Sequence, residues 1–221
     1  MSVATKEYWD KAWKSESNSN HSTYGYYLTN PEGKSVLDIG CGDMFYHKMF
    51  YYPSLVGIDI SFNALKQSKE SFRDTPLETP LITGDALRLP FKDNSFEIAT
   101  CMDTLTLMGT DFIKILYEMR RVAKEKIIFT LTHQDIARIY IEPPYHQCDY
   151  HSILHESELD KIFFQESSID ELASELDLDI EEMECFTMQE IHDLGSTRDN
   201  LFRRVEHAEV KGPIYVDARI N

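Results

Sequence analysis

Ser35-Val36-Leu37-Asp38-Ile39-Gly40-Cys41-Gly42-Asp43-Met44 reads as a short apolar β run that ends in an acid and breaks into two glycines spaced one apart. Glycine lacks a Cβ and tolerates φ > 0, so such a turn lets backbone approach a ligand closely. The helix expected over 43–50 would aim its unpaired N–H groups at whatever occupies the loop. An acid just ahead of the first glycine is a poor neighbour for pyrophosphate, because Asp38 would repel it. It suits a ligand that carries a cationic amino group.

Two further apolar runs end in the same way. Leu55-Val56-Gly57-Ile58-Asp59-Ile60 places Asp59 19 residues after Gly40, a spacing that suits a ribose-diol contact. Leu81-Ile82-Thr83-Gly84-Asp85-Ala86-Leu87 places Asp85 at a third strand end, followed by Leu89-Pro90-Phe91 and Asp93-Asn94-Ser95-Phe96-Glu97-Ile98. A nicotinamide-binding Gly-x-Gly-x-x-Gly turn would need its third glycine at Phe45, which is bulky. Asp43 and Ser61 read as caps of turns or helices.

Over roughly residues 35–132 the sequence resembles the class I S-adenosylmethionine-dependent methyltransferases, particularly the small-molecule branch often called type 11. The resemblance implies that Asp38, Gly40 and Gly42 belong to the loop that holds the methionine portion of the cofactor. It implies that Asp59 accepts both ribose hydroxyls, with Ile60 beside the adenine ring. Asp85 would accept from the adenine exocyclic amine, and Ala86 would offer its backbone N–H to the ring. Phe96 to Asp103 would be the fourth strand, bringing Met102 and Asp103 to the reacting face. The chain departs from the family in one respect: Met44 stands where a third glycine is frequent.

The fold expected is an α/β, Rossmann-like methyltransferase sandwich, with a mostly parallel seven-stranded sheet and an antiparallel C-terminal hairpin. Strands are predicted at 35–39, 54–59, 80–83, 96–102, 126–131, 180–188 and 213–220. Helices are predicted at 5–14, 61–72, 110–123 and 169–176. Residues 1–221 read as one domain. The aromatic face of Tyr8, Trp9 and Trp13 fits packing on the main body, and the resemblance implies instead that 1–30 form an N-terminal helical lid, with Tyr24, Tyr26 and Tyr27 in a second short helix. Residues 133–167 form a substrate-cover insert.

Composition narrows the partners. Net charge is −16, so nucleic acid and anionic membrane surfaces are not expected partners. Arg120-Arg121 with Lys124, and Arg203-Arg204, are short clusters that read as solvated helix faces. No stretch approaches the ~20 apolar residues of a membrane span, and Met1 to Asp10 lacks a signal-peptide core. The cysteines at 41, 101, 148 and 185 form no Cys-x-x-Cys pair, the pattern of reduced thiols in a cytoplasmic protein.

Chemistry in the cover is less defined. His146-x-Cys148-x-x-His151-x-x-x-His155 has residue types that suit zinc but matches no familiar spacing, and no metal is expected. His133 and His151 are candidate general bases, since neutral histidine takes a proton near pH 7. Asp103 is the candidate for orienting the acceptor. Glu142-Pro143-Pro144-Tyr145 is similar to an Asn-Pro-Pro-Tyr motif but does not follow the fourth strand, and it reads as a rigid loop. The expectation is an S-adenosylmethionine-dependent methyltransferase acting on a small-molecule acceptor. Two alternatives are a methyltransferase-like regulatory or scaffold protein without turnover, and a protein or tRNA methyltransferase that needs a partner subunit.

Overall fold

The computed structural model describes residues 5–14, 33–44, 54–71, 79–133, 163–164, 167–187 and 211–221. Among these residues eight strands form one sheet: β1 (Ser35–Ile39), β2 (Ser54–Asp59), β3 (Leu81–Thr83), β4 (Phe96–Cys101), β5 (Ala123–His133), β6 (Phe163–Phe164), β7 (Leu178–Thr187) and β8 (Lys211–Ile220). The order is β3-β2-β1-β4-β5-β8-β7, with β6 pairing only with β5. The pairings from β3 to β5 are parallel, and β8 and β7 close the sheet antiparallel. This is the expected sandwich, with a two-residue strand added to the seven expected.

Strand alternation sorts the residues between two faces. Leu37, Ile39, Ala99, Cys101, Ile127, Phe129, Leu131, Ile214, Val216 and Ala218 share one buried cluster. That cluster takes in Ile115, Leu116, Met119 and Val122 of helix α3 (Phe112–Val122), whose i, i+1, i+4, i+7 spacing forms one helical stripe. It also takes in Ile169, Leu172, Ala173 and Leu176 from helix α4 (Ser167–Glu175) and the residue after it. The opposite face carries Val36, Asp38, Leu55, Ile98, Thr100, Ile128, Thr130 and Tyr215, all buried. Helix α2 (Phe62–Ser71) lies along β2 and β3, and helix α1 (Lys6–Ala12) packs on α2.

Three local outcomes differ from the sequence reading. The helix predicted from Thr110 is preceded by a 3₁₀ segment, Leu105–Asp111, and α3 begins at Phe112 after a kink at Gly109 (φ 55°). β5 is longer than predicted, because β4 pairs with it from Ala123 and β8 and β6 pair with it as far as Thr132 and His133. Arg120 and Arg121 are internal ties rather than a solvated face. Arg120 Nε donates to Leu176 O (2.5 Å), and Arg121 reaches Phe91 O, Leu89 O, Asp93 and Glu118.

The helix predicted at 43–50 does not start there, since Asp43 lies in a turn and Met44 adopts φ 61°; residues 45–50, the tyrosines at 24, 26 and 27, and residues 134–162 lie outside the described residues. Among the described residues, no helix is long and apolar enough to cross a membrane.

Candidate cofactor and acceptor site

The strand order reverses between β1 and β4: β2 and β3 lie to one side of β1, and β4 and β5 to the other. A crevice opens at the carboxyl ends of strands at such a switch point. Asp38, Asp59 and Met102 all fall there. Thr100 Oγ1 of β4 donates to Asp38 Oδ1 of β1 (2.9 Å), a buried bond that spans the switch point.

The glycine loop is folded onto the end of β2. Gly40 N and Cys41 N both donate to Ile58 O (2.9 and 3.1 Å), and Gly42 N donates to Asp59 Oδ2 (2.9 Å). These three N–H groups are consumed inside the protein, so the loop does not present them to a phosphate as a pyrophosphate-binding turn does. The strand ends here carry the carboxylates of Asp38 and Asp59. Such acceptors suit a ligand with hydroxyl donors and positive charge.

Gly40 (φ 68°) and Gly42 (φ 53°) occupy left-handed backbone. A Cβ at Gly40 would overlap the Thr104 side chain, and one at Gly42 would stand 3.0 Å from the Trp13 ring. Met44, where a third glycine is frequent in the resembled family, adopts the same region (φ 61°) and is fully buried. Its N–H donates to Cys41 O (2.8 Å), and its sulfur lies with that of Cys41 against Gly57. A non-glycine residue there costs of order 1 kcal/mol, and core packing of the thioether offsets it.

Asp59 is 9% exposed, and its two oxygens accept from Gly42 N and Ser61 N (2.8 Å). Burial pushes its carboxyl up to about 6, against the lowering effect of those two N–H groups, with the charges of Asp38 and Asp10 adding to the rise. Each carboxylate oxygen has a second lone pair, so the group can still accept two hydroxyls. Ile60 follows it, half-buried. Asp85 is exposed, its Oδ1 accepts from Leu87 N (2.9 Å), and half-buried Ala86 lies inside that turn.

At the end of β4, Met102 is buried and Asp103 adopts φ 54°. Asp103 N donates to Thr130 Oγ1 of β5 (2.8 Å). Thr104 Oγ1 is shared between Met102 O (3.1 Å) and Gly40 O (3.3 Å). This turn is therefore pinned both to β5 and to the glycine loop.

His133 ends β5, only 5% exposed, on the strand face shared with Phe129 and Leu131 rather than with Thr130. The fold thus sets it toward the α3 side of the sheet, away from the face that carries Asp38 and Asp59. His151 lies outside the described residues.

The short strand β6 has a definite place. At Thr132 one edge of β5 is taken by Pro213 of β8, so Phe163 takes the other edge, the one β4 occupies lower down. The last part of the predicted 133–167 insert therefore returns directly beyond the carboxyl end of β4. Cys41 and Cys101 are buried, and desolvation raises both thiols well above their ordinary range, which leaves them protonated.

Site residues absent from the sequence reading are Thr100, Thr104, Thr130 and Asp10. Thr100 and Thr130 did leave a signal: each is a lone hydroxyl inside an apolar strand run. Asp10 left none, because Ser61 and Asn63, its partners at the site, lie at the start of α2.

Comparison with known proteins agrees with this geometry. Residues 37–130 match the family model described as a methyltransferase domain. A demethylmenaquinone methyltransferase of Listeria welshimeri is 35% identical over 99 residues, 42% of this chain and 42% of that protein. The chain thus spans about two fifths of the length of the curated relatives it matches. A solved S-adenosylmethionine-dependent methyltransferase of Methanosarcina mazei superposes with TM-score 0.61 at 17% identity, covering 88% of this chain and 96% of that one. The solved cyclase SpnF superposes with TM-score 0.61 at 16% identity over 98% of this chain and 83% of its own, so the fold by itself does not decide the reaction. Residues 37–130 thus match a methyltransferase domain model, and the fold is the one shared with these solved structures.

Proposed function

We propose that the protein transfers a methyl group from S-adenosylmethionine to a small-molecule acceptor. The observation that carries this reading is the buried Asp59 carboxylate at the end of β2, beside a glycine loop whose N–H groups are already spent. The bound cofactor supplies an electrophilic methyl group on a sulfonium. The residues of this chain bind and orient it. The loop at Asp38, Gly40 and Gly42 faces the methionine portion with acceptor oxygens. Asp59 receives the ribose hydroxyls, Ile60 packs on the adenine, and Asp85 and Ala86 meet its polar edge.

Methyl transfer is an in-line displacement that depends on alignment and exclusion of water. Met102 and Asp103 stand at the acceptor side, and Asp103 orients the acceptor by accepting its O–H or N–H proton at a carboxylate oxygen. The strongly acidic chain and the relative named for a demethylmenaquinone both support a small organic acceptor.

The test is calorimetric titration with S-adenosylhomocysteine, with NADH as the control ligand. Saturable binding of the former alone is expected. Asp59→Ala should weaken it by about 1–3 kcal/mol, the cost of leaving ribose hydroxyls without acceptors. Undiminished affinity would remove Asp59 from the ribose site. If neither ligand binds, the chain is a scaffold or regulatory protein on a methyltransferase fold.

A further inference from the structure

The candidate ribose carboxylate is tied to helix α1 by a continuous set of polar contacts. Ser61, fully buried, is the node. Its N–H donates to Asp59 Oδ1 (2.8 Å), its hydroxyl donates to Asp10 Oδ1 on α1 (2.9 Å), and the same hydroxyl accepts from Ala64 N (3.3 Å) as the N-cap of α2. Asp10 engages this helix end further: its Oδ1 faces Asn63 N (3.4 Å), and its carbonyl accepts from Asn63 Nδ2 (2.6 Å). Lys6, one turn back on α1, pairs with the Asp10 carboxylate.

A second tie lies one turn along. Gln67 Nε2 donates to Trp13 O (2.6 Å), and the Trp13 ring lies against Gly42, whose N–H holds the other oxygen of Asp59. Both oxygens of Asp59 thus sit one residue away from a contact with the α1 segment.

We propose that Ser61 and Asp10 are positioning residues that couple the seating of α1 to the orientation of the Asp59 carboxylate, so that α1 docking and cofactor binding strengthen each other. The proposal rests on Asp59 being the ribose ligand. Coupling of this kind is reciprocal: whatever seats α1 tightens the cofactor, and the cofactor seats α1. Ser61 carries the link because one residue supplies the amide to Asp59 and the hydroxyl to Asp10.

The chain offers its own reporter. Its two tryptophans, Trp9 and Trp13, both lie in α1 or at its end, so intrinsic tryptophan fluorescence reads α1 alone. The experiment titrates S-adenosylhomocysteine into wild type, Asp10→Ala, Asp10→Asn, Ser61→Ala, the Asp10→Ala/Ser61→Ala pair and Asp59→Ala, following heat and fluorescence together.

Asp10→Ala and Ser61→Ala should each weaken binding about tenfold and shrink the ligand-induced fluorescence change. Asp10→Asn, which keeps a carbonyl acceptor for Ser61 Oγ, should recover most of the loss. The paired variant should be no weaker than either single change, as expected for one shared interaction. A purely structural role for Asp10 would alter thermal stability and leave ligand affinity in place.

The proposal is overturned if Asp10→Ala and Ser61→Ala bind as wild type does while Asp59→Ala is weakened, or if the two losses add. Loss in those variants with none in Asp59→Ala would overturn it as well, since the link would then not run through Asp59. Wild type that binds no S-adenosylhomocysteine overturns the cofactor reading and the proposal together.

Discussion

Asp59 shows at the scale of one residue how burial sets chemistry. Its carboxyl is pushed up to about 6 mainly by desolvation, so it titrates inside the physiological range. A carboxyl whose folded value exceeds its unfolded one binds more protons in the folded state. Between about 4 and 6 its contribution to stability therefore falls as pH rises, and the penalty of the buried charge stays in place above 6. Ligand binding runs the other way, because ribose hydroxyls need the ionised form as acceptor. Affinity for S-adenosylhomocysteine should be flat above pH ~6.5 and fall towards tenfold per unit below ~5.5. Asp59→Ala should flatten that profile, and calorimetry between pH 5 and 7.5, as an order-of-magnitude range around that midpoint, reads both.

Asp103 makes a second point at this scale. Its left-handed backbone is one that aspartate and asparagine tolerate better than most residues. Asp103→Asn should consequently keep the melting temperature within about 2 °C of wild type. It removes the carboxylate at the same time, so methyl transfer should drop while cofactor affinity holds. A large loss of stability would show that the charge itself holds the turn.

At the scale of elements, Arg121 explains why the loop after β3 is held in place. Its guanidinium donates to Phe91 O (2.8 Å), Leu89 O (3.1 Å), Asp93 Oδ1 (2.9 Å) and both oxygens of Glu118. Glu118 in turn accepts from Leu89 N (2.7 Å), and its carboxyl is held below the usual range chiefly by Arg121. Lysine cannot reproduce this fork. Arg121→Lys should cost about 1–2 kcal/mol and lower the melting temperature by roughly 2–8 °C, measured by circular dichroism. The alternation of strands and helices was readable from apolar periodicity, and the Ser61 cap, which accepts from Ala64 N, from its residue type at a helix start. The role of Arg121 was not, because its acceptors are carbonyls about thirty residues upstream.

At the scale of the whole molecule, a net charge of −16 is a repulsive term spread over the surface. Three of those carboxylates, Asp10, Asp38 and Asp59, crowd the same strand ends, where Asp10 and Asp38 each raise Asp59. Raising salt from about 10 mM to about 100 mM shortens the screening length from about 30 to about 10 Å. The melting temperature should rise by a few degrees over that range, as expected from roughly 1 kcal/mol in a protein of this size. A fall with salt would mean that the ion pairs of Lys126 with Glu181 and Asp217, and of Arg219 with Asp179, outweigh the repulsion.

The sequence by itself determined the sheet, the order of its acidic strand ends and the glycine turn, because each follows from local rules: apolar alternation, glycine at positive φ, and an acid where a strand stops. Position-specific packing was beyond its reach. That Met44 would take up the left-handed backbone, that Thr130 would hold Asp103, that His133 would turn to the α3 side and that Asp10 would meet Ser61 and Asn63 at the start of α2 are all consequences of tertiary structure. Each depends on the register between strands or on contact between elements far apart in sequence. Hydrogen bonds of that kind are chosen by where the folded chain brings a donor and an acceptor together, and no local pattern records it.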